Sequence, residues 1–270
     1  MPVEAIESEI GAAYLRLATS AGTARYRQRH YLDGQTAGTL FGTVAALTAA
    51  HPWALDGFGA PAWAAYQPDP QAPPPDGLRV GMLRIGEDLP PMPAVARFAG
   101  HGHLLISECG FADGAHGARS LPQALTLRLA TATRPGTVRF ALADPVGQGR
   151  HLSAFLRLPA HMRVGSTGVG VAASPAETEA LLTMLTSHVV EVTQTRLTNV
   201  YDSVEAYNAA TTGATIPYHV LVLAGFPAGI SDRAAELLGR LARNGPRSGL
   251  YIVATVDPGL PCQATSIWRR

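Results

Sequence analysis

The stretch Gly114-Ala115-His116-Gly117-Ala118-Arg119-Ser120 stands where a glycine-rich phosphate cradle would be read. Such a cradle, G-x-x-x-x-G-K-[ST], presents backbone N–H groups to phosphate, a lysine to the β/γ charge and a hydroxyl to magnesium. This chain has no lysine among its 270 residues, so all 21 of its basic residues are arginines. Arg119 is then the nearest cation, and guanidinium is a broad planar fork where ammonium is a compact point charge. The residues expected to touch a nucleotide are Gly114, Gly117, Arg119 and Ser120, with Asp144 from the end of a central strand, where ligands of parallel sheets sit. Asp144 serves equally as a turn or capping aspartate before Pro145. Glu108 and Asp113 bracket the cradle, and their charge opposes an anion there.

Other constellations are weaker. Gly165-Ser166-Thr167-Gly168-Val169-Gly170 could approach a phosphate, but it follows no strong strand and reads as a surface loop. His101 and His103 flank Gly102 without a third metal ligand, so His103 is expected to pack at a strand edge. His116 either meets phosphate or caps the next helix. No G-x-S-x-G elbow is present, and the two cysteines, Cys109 and Cys262, show no metal or nucleophile spacing. Their sparseness fits a reducing compartment, and the chain reads as cytosolic. A net charge of +1 argues against an independent grip on duplex nucleic acid. No apolar run approaches membrane-spanning length.

These residues need a frame. Residues 1–51 read as an N-terminal helical region and 52–77 as a linker rich in proline and tryptophan that packs its aromatics. From residue 78 to 270, strands are expected at 79–85, 103–107, 138–143, 218–223 and 249–254, with a turn over 86–93. Helices are expected at 121–133, from Pro175 to about 199, at 204–210 and at 231–243. Ser174 and Glu177 form a capping box ahead of the long helix. Alternation of this kind specifies an α/β fold with a parallel sheet flanked by helices.

Over roughly residues 78 to 258 these segments resemble the FtsK/SpoIIIE family of RecA-like P-loop translocase ATPases. Gly102-His103-Leu104-Leu105-Ile106 resembles the strand entering the family's phosphate loop, and Val138 to Pro145 is similar to its strand ending in Asp-Pro. Tyr201-Asp202-Ser203-Val204-Glu205-Ala206-Tyr207-Asn208 follows the long helix as the family's short Tyr-Asn helix does. Gly249 to Pro258 resembles its Gly-x-x-Leu-x-x-Ala-Thr-Gln-x-Pro strand. Asp144 to Gly149 and Asn244 to Gly249 look like the subgroup that carries several such modules in one chain, the first often degenerate. The resemblance implies ATP and Mg²⁺ as ligands. It also implies other modules or subunits as partners, including a hexameric ring, and double-stranded DNA as the polymer moved by the parent assembly.

The departures from the family pattern decide the expected function. In working members the strand after the long helix ends in Asp-Glu, for magnesium and for the attacking water. Here Ala224 and Gly225 hold those places, and after Thr255 the sensing glutamine is replaced by Val256. Each lost charge-stabilising donor costs roughly 3 kcal/mol at the transition state. The expectation is therefore a non-hydrolysing module with a structural or regulatory role. Its alternatives are an active motor that uses Arg119, a module of a secretion ATPase, and a scaffold that binds no nucleotide. Ending at Trp268-Arg269-Arg270, the chain leaves later family strands unaccounted for, as a fragment or an early stop would.

Overall fold

The computed structural model describes residue 42 and residues 57–65, 77–83, 92–97, 100–107, 115–164, 170–198 and 200–256. The expected N-terminal helical region, residue 42 apart, most of the linker and the chain after Val256 lie outside the described residues.

A one-turn helix α1 (Pro61–Ala64) precedes a two-stranded antiparallel hairpin, β1 (Gly77–Leu83) with β2 (Met92–Arg97). There follow β3 (Leu104–Ser107), α2 (Ala115–Ala132), β4 (Val138–Ala143), α3 (Pro175–Glu191), α4 (Val204–Ala210), β5 (Tyr218–Phe226), α5 (Asp232–Asn244) and β6 (Leu250–Val256). The second sheet runs in the order β3-β6-β5-β4, and all three of its pairings are parallel.

β4, β5 and β6 carry apolar residues on both faces, as strands covered on both sides require, whereas Leu105 of the edge strand β3 is 68% exposed. Phe140, Leu142, Val220, Val222, Tyr251 and Val253 share one core with Leu125 and Leu129 of α2. The alternate residues Ala141, Ala143, Leu221, Leu223, Ile252 and Ala254 face Leu182 and Leu185 of α3 and Leu237, Leu238 and Leu241 of α5. The period of two in the strands thus sorts helices to opposite faces.

α3 starts at the expected capping box: Glu177 N–H donates to Ser174 Oγ at 3.3 Å, and Ser174 N–H donates to Glu177 Oε2 at 3.1 Å. It continues as one π-helical stretch, Val192–Leu197, ending at Thr198 with φ 36°. α5 opens on Ser231, whose Oγ accepts from Ala234 N–H.

The hairpin strand β2 differs from the sequence expectation, which placed a turn over 86–93. Pro93 has no N–H to donate, but a two-stranded hairpin leaves one flank without a ladder, and proline is tolerated there. Leu78 of β1, 2% exposed, joins the core under α2. Between β4 and α3 two short 3₁₀ turns, Arg150–Phe155 and Ala160–Met162, appear where no element was expected. The chain then runs along the outer flank of β4: Val164 N–H donates to Phe140 O, Ala172 N–H to Leu142 O, and Asp144 N–H to Ala172 O.

Candidate functional site

Because the four strands are parallel, their carboxyl ends share one edge, the place where ligands of such sheets bind. Three described pieces of this chain meet or start there beside the end of β6: α2, and the turns after β4 and β5.

Asp144 ends β4 and is completely buried. Its Oδ1 accepts Gly147 N–H at 2.8 Å, its Oδ2 accepts His151 N–H at 2.8 Å, and His151 Nδ1 lies 3.0 Å from Oδ1. A carboxylate offers only lone pairs, so the ring nitrogen carries the hydrogen in this contact. Both oxygens thus bond within the turn. Gly147 makes this geometry attainable, since a Cβ there would collide with His151 Nδ1 and Asp144 Oδ2. The turn then reverses through left-handed backbone at Gln148, φ 52°, and Gly149, φ 80°. Gln123 of α2 donates from Nε2 to the backbone oxygen of His151, tying the turn to the helix.

At the end of β5 stand Ala224 and Gly225, and no carboxylate. Ala224 is buried. Gly225 has φ +74°, and its N–H donates to Thr255 Oγ1 of β6 at 2.7 Å. A Cβ on Gly225 would sit 3.1 Å from Val146 Cγ2, and one on Gly229, φ +69°, would sit 3.0 Å from Pro145 Cβ. The Pro145-Val146 step after β4 therefore lies directly on the turn after β5. Thr255 and Val256 close β6, with Thr255 buried.

α2 begins at Ala115, six residues ahead of the expected start. Gly114 lies outside the described residues, and of Ala115 to Arg119 only the helical backbone is described. An α-helix leaves its first four N–H groups without intrahelical partners. The amides of Arg119 and Ser120, fifth and sixth in α2, are consequently inside the helix ladder. Ser120 is exposed.

His103 does pack at a strand edge. Its Nδ1 accepts Ile252 N–H at 3.1 Å, which leaves the hydrogen on Nε2 to donate to Ala242 O at 2.8 Å. Of the glycine-rich stretch 165–170, only Gly170 is described. Among the described residues no group of three or more His, Cys, Asp or Glu is placed to hold a metal. Nor is any described helix long and apolar enough to cross a membrane.

The opposite edge holds buried titratable groups that sequence reading missed. His188 of α3 and His219 of β5 pack with ring centroids 4.0 Å apart and planes tilted by 51°, and neither His188 Nε2 nor His219 Nδ1 has a hydrogen-bond partner. Burial, then the charges of His188 and Arg139, push His219 down to about 3, against a smaller opposing effect of the Pro217 backbone. Burial also lowers His188, with Glu191 opposing and Arg139 reinforcing. Tyr251 donates to Glu205 Oε1, and burial together with that carboxylate pushes its hydroxyl far above the usual tyrosine range.

No protein-family model matches the chain, and no curated protein matches it. Solved structures do. EssC from Geobacillus thermodenitrificans, in a structure holding its ATPases 2 and 3, superposes with TM-score 0.52 at 16% identity, over 74% of this chain and 37% of that one. The pCW3 conjugation coupling protein TcpA, in its monomer form with ATPγS, gives TM-score 0.49 at 14% identity over 71% of this chain and 51% of that one. The cytoplasmic domain of the Thermomonospora curvata type VII secretion ATPase EccC gives 0.48 at 19% over 74% and 23%. The fold assignment rests on the first: this chain has the parallel α/β architecture of RecA-like P-loop ATPases.

Proposed function

We propose that this chain is a non-hydrolysing FtsK/SpoIIIE-like module, serving the assembly or regulation of a motor whose active modules are separate. The observation that carries the reading is the end of β5. A working site needs a carboxylate there for magnesium and another for the attacking water. Here the two positions are a buried alanine and a left-handed glycine whose amide is bound to Thr255, with Val146 packed against it. Neither the alanine nor the glycine has a side chain that accepts a proton or holds a cation. The early start of α2 supports the same reading, because the amides of Arg119 and Ser120 are drawn into a helix instead of facing a phosphate.

On this reading any residual nucleotide contact comes from the region of Gly114, Gly117, Arg119, Ser120 and Asp144. The partners are further modules of the same fold within a cytosolic ring or tandem array, and DNA is met only through the parent assembly. The test is steady-state ATP turnover by the purified chain with magnesium. We expect no hydrolysis above background. Magnesium-dependent turnover abolished by Arg119→Ala would establish the active alternative. If ATP leaves the melting temperature unchanged, the nucleotide-free scaffold is the correct description.

A further inference from the structure

We propose that the outer flank of β3 is a docking edge, and that it takes this chain's own Thr265-Ser266-Ile267-Trp268, laid antiparallel against Leu104–Ser107. The inference stands apart from the nucleotide reading, since no residue of the turns after β4 and β5 enters it.

The two flanks of the parallel sheet are finished differently. On the β4 side, Val164 and Ala172 bond to Phe140 and Leu142. On the other side β3 has one neighbour among the described residues, β6. His219 N–H donates to Gly249 O, so the odd-numbered residues at and after 249 turn their backbone groups toward β5. The even-numbered ones turn toward β3, as the bond from Ile252 N–H to His103 Nδ1 at 3.1 Å shows. In a parallel ladder a residue that faces its partner strand stands opposite one whose N–H and C=O face away. Ala254 is such a residue, and Leu105 stands opposite it. Leu105 N–H and C=O therefore project from the sheet's margin, and neither is bonded among the described residues. Its side chain is 68% exposed, although Leu104 and Ile106 on either side pack into the core under α2. A strand left in this way is a template for one more strand.

The occupant is argued from where the chain leads. β6 ends at Val256, opposite Ser107, so the chain leaves the sheet one strand away from the open margin. Neighbouring strands lie about 4.8 Å apart, which puts the place beyond β3 about 10 Å from β6. An extended stretch as long as 257–264 reaches more than about 20 Å, and Pro258, Gly259 and Pro261 within it suit a reversal. Next come Thr265, Ser266, Ile267 and Trp268, of which threonine, isoleucine and tryptophan favour strands. Set antiparallel, Ile267 covers Leu105, Trp268 adjoins Leu104 and Thr265 meets Ser107. Ile267 and Leu105 then exchange both backbone bonds as a directly opposed pair. A second copy could offer the same backbone, but this segment arrives covalently, at an effective concentration of roughly millimolar.

The test is residue-resolved amide hydrogen exchange on the full chain, comparing wild type with Ile267→Pro. Proline removes the donor that Leu105 C=O would accept and cannot hold the pair. We expect the Leu105 amide to exchange about tenfold faster in I267P, the effect of losing one hydrogen bond, while Val220, Val222 and Val253 stay equally protected. I267V keeps the amide and the branched side chain and should match the wild type. Rapid exchange of Leu105 in the wild type, or unchanged protection in I267P, overturns the proposal. So does protection that rises with protein concentration alongside a dimer in sedimentation, which makes a second copy the occupant. Should I267P also expose Val253, Ile267→Asp supplies the comparison, because it keeps the amide and sets a charge over Leu105.

Discussion

Thr255 Oγ1 accepts the N–H of Gly225 at 2.7 Å, joining the ends of β6 and β5. Thr255 is 1% exposed. Thr255→Val keeps the shape and removes the acceptor, leaving the Gly225 amide unpaired. We expect a loss of about 1–2 kcal/mol in urea denaturation, largely recovered by Thr255→Ser. An unchanged midpoint in T255V would show that the bond contributes nothing.

On the proposed reading, placing acidic residues at the end of β5 is not expected to produce ATP hydrolysis. In the double variant Ala224→Asp with Gly225→Glu, the first change buries a carboxylate and the second forces a side chain into φ +74° against Val146. The left-handed backbone alone costs roughly 1–2 kcal/mol for a residue with a Cβ. The expected outcome is a lower melting temperature and no turnover. Recovery of magnesium-dependent hydrolysis would mean that the rest of the catalytic apparatus is intact.

The packed pair His188 and His219 predicts acid sensitivity. His219 falls from 6.5 in the unfolded chain to about 3 in the fold, so below 6.5 the unfolded state binds more protons. Stability is therefore fully present above about pH 6.5 and declines as pH falls toward 3, by up to roughly 1.4 kcal/mol per pH unit for each such histidine. His188 acts in the same direction. His219→Leu should flatten the pH dependence of the melting temperature between pH 6.5 and 4.5. An equally steep profile in that variant would assign the acid sensitivity elsewhere.

Arg128 of α2 is 2% exposed, and its guanidinium carbon lies 4.4 Å from the ring centre of Phe58 and 5.7 Å from that of Trp63. The two rings are themselves 4.8 Å apart. Phe58→Ala is expected to cost about 1 kcal/mol and to raise the protease sensitivity of the segment around α1. Unaltered digestion would show that residues 57–65 hold to α2 by other means.

Much of this frame is legible in the sequence because local chemistry and tertiary packing agree. β4 spans 138–143 as expected, since Pro135-Gly136 and Asp144-Pro145 punctuate it on both sides. The Ser174–Glu177 box fixes the start of α3 without reference to anything distant. β5 runs three residues past the expected Leu223, because its pairing with β6 shifts register and resumes at Phe226. β2 was hidden by Pro93, which reads as a turn signal but sits in a hairpin opposite Met82. The Asp144–His151 contact spans seven residues through left-handed backbone at Gln148 and Gly149, and no periodicity encodes such a reversal. Its one trace in the sequence is the pair of glycines, 147 and 149, that lets an acid and a histidine close together.

The segment laid along β4 has a consequence for how this chain can meet others. With Val164 and Ala172 already bonded to Phe140 and Leu142, that margin of the sheet has its backbone partners supplied from within. A neighbouring subunit approaching from this side finds Phe140 O, Leu142 O and the Asp144 N–H already bonded, which disfavours contact by strand pairing there. Growth of a continuous intermolecular sheet, the commonest accident of exposed strands, is opposed at these positions.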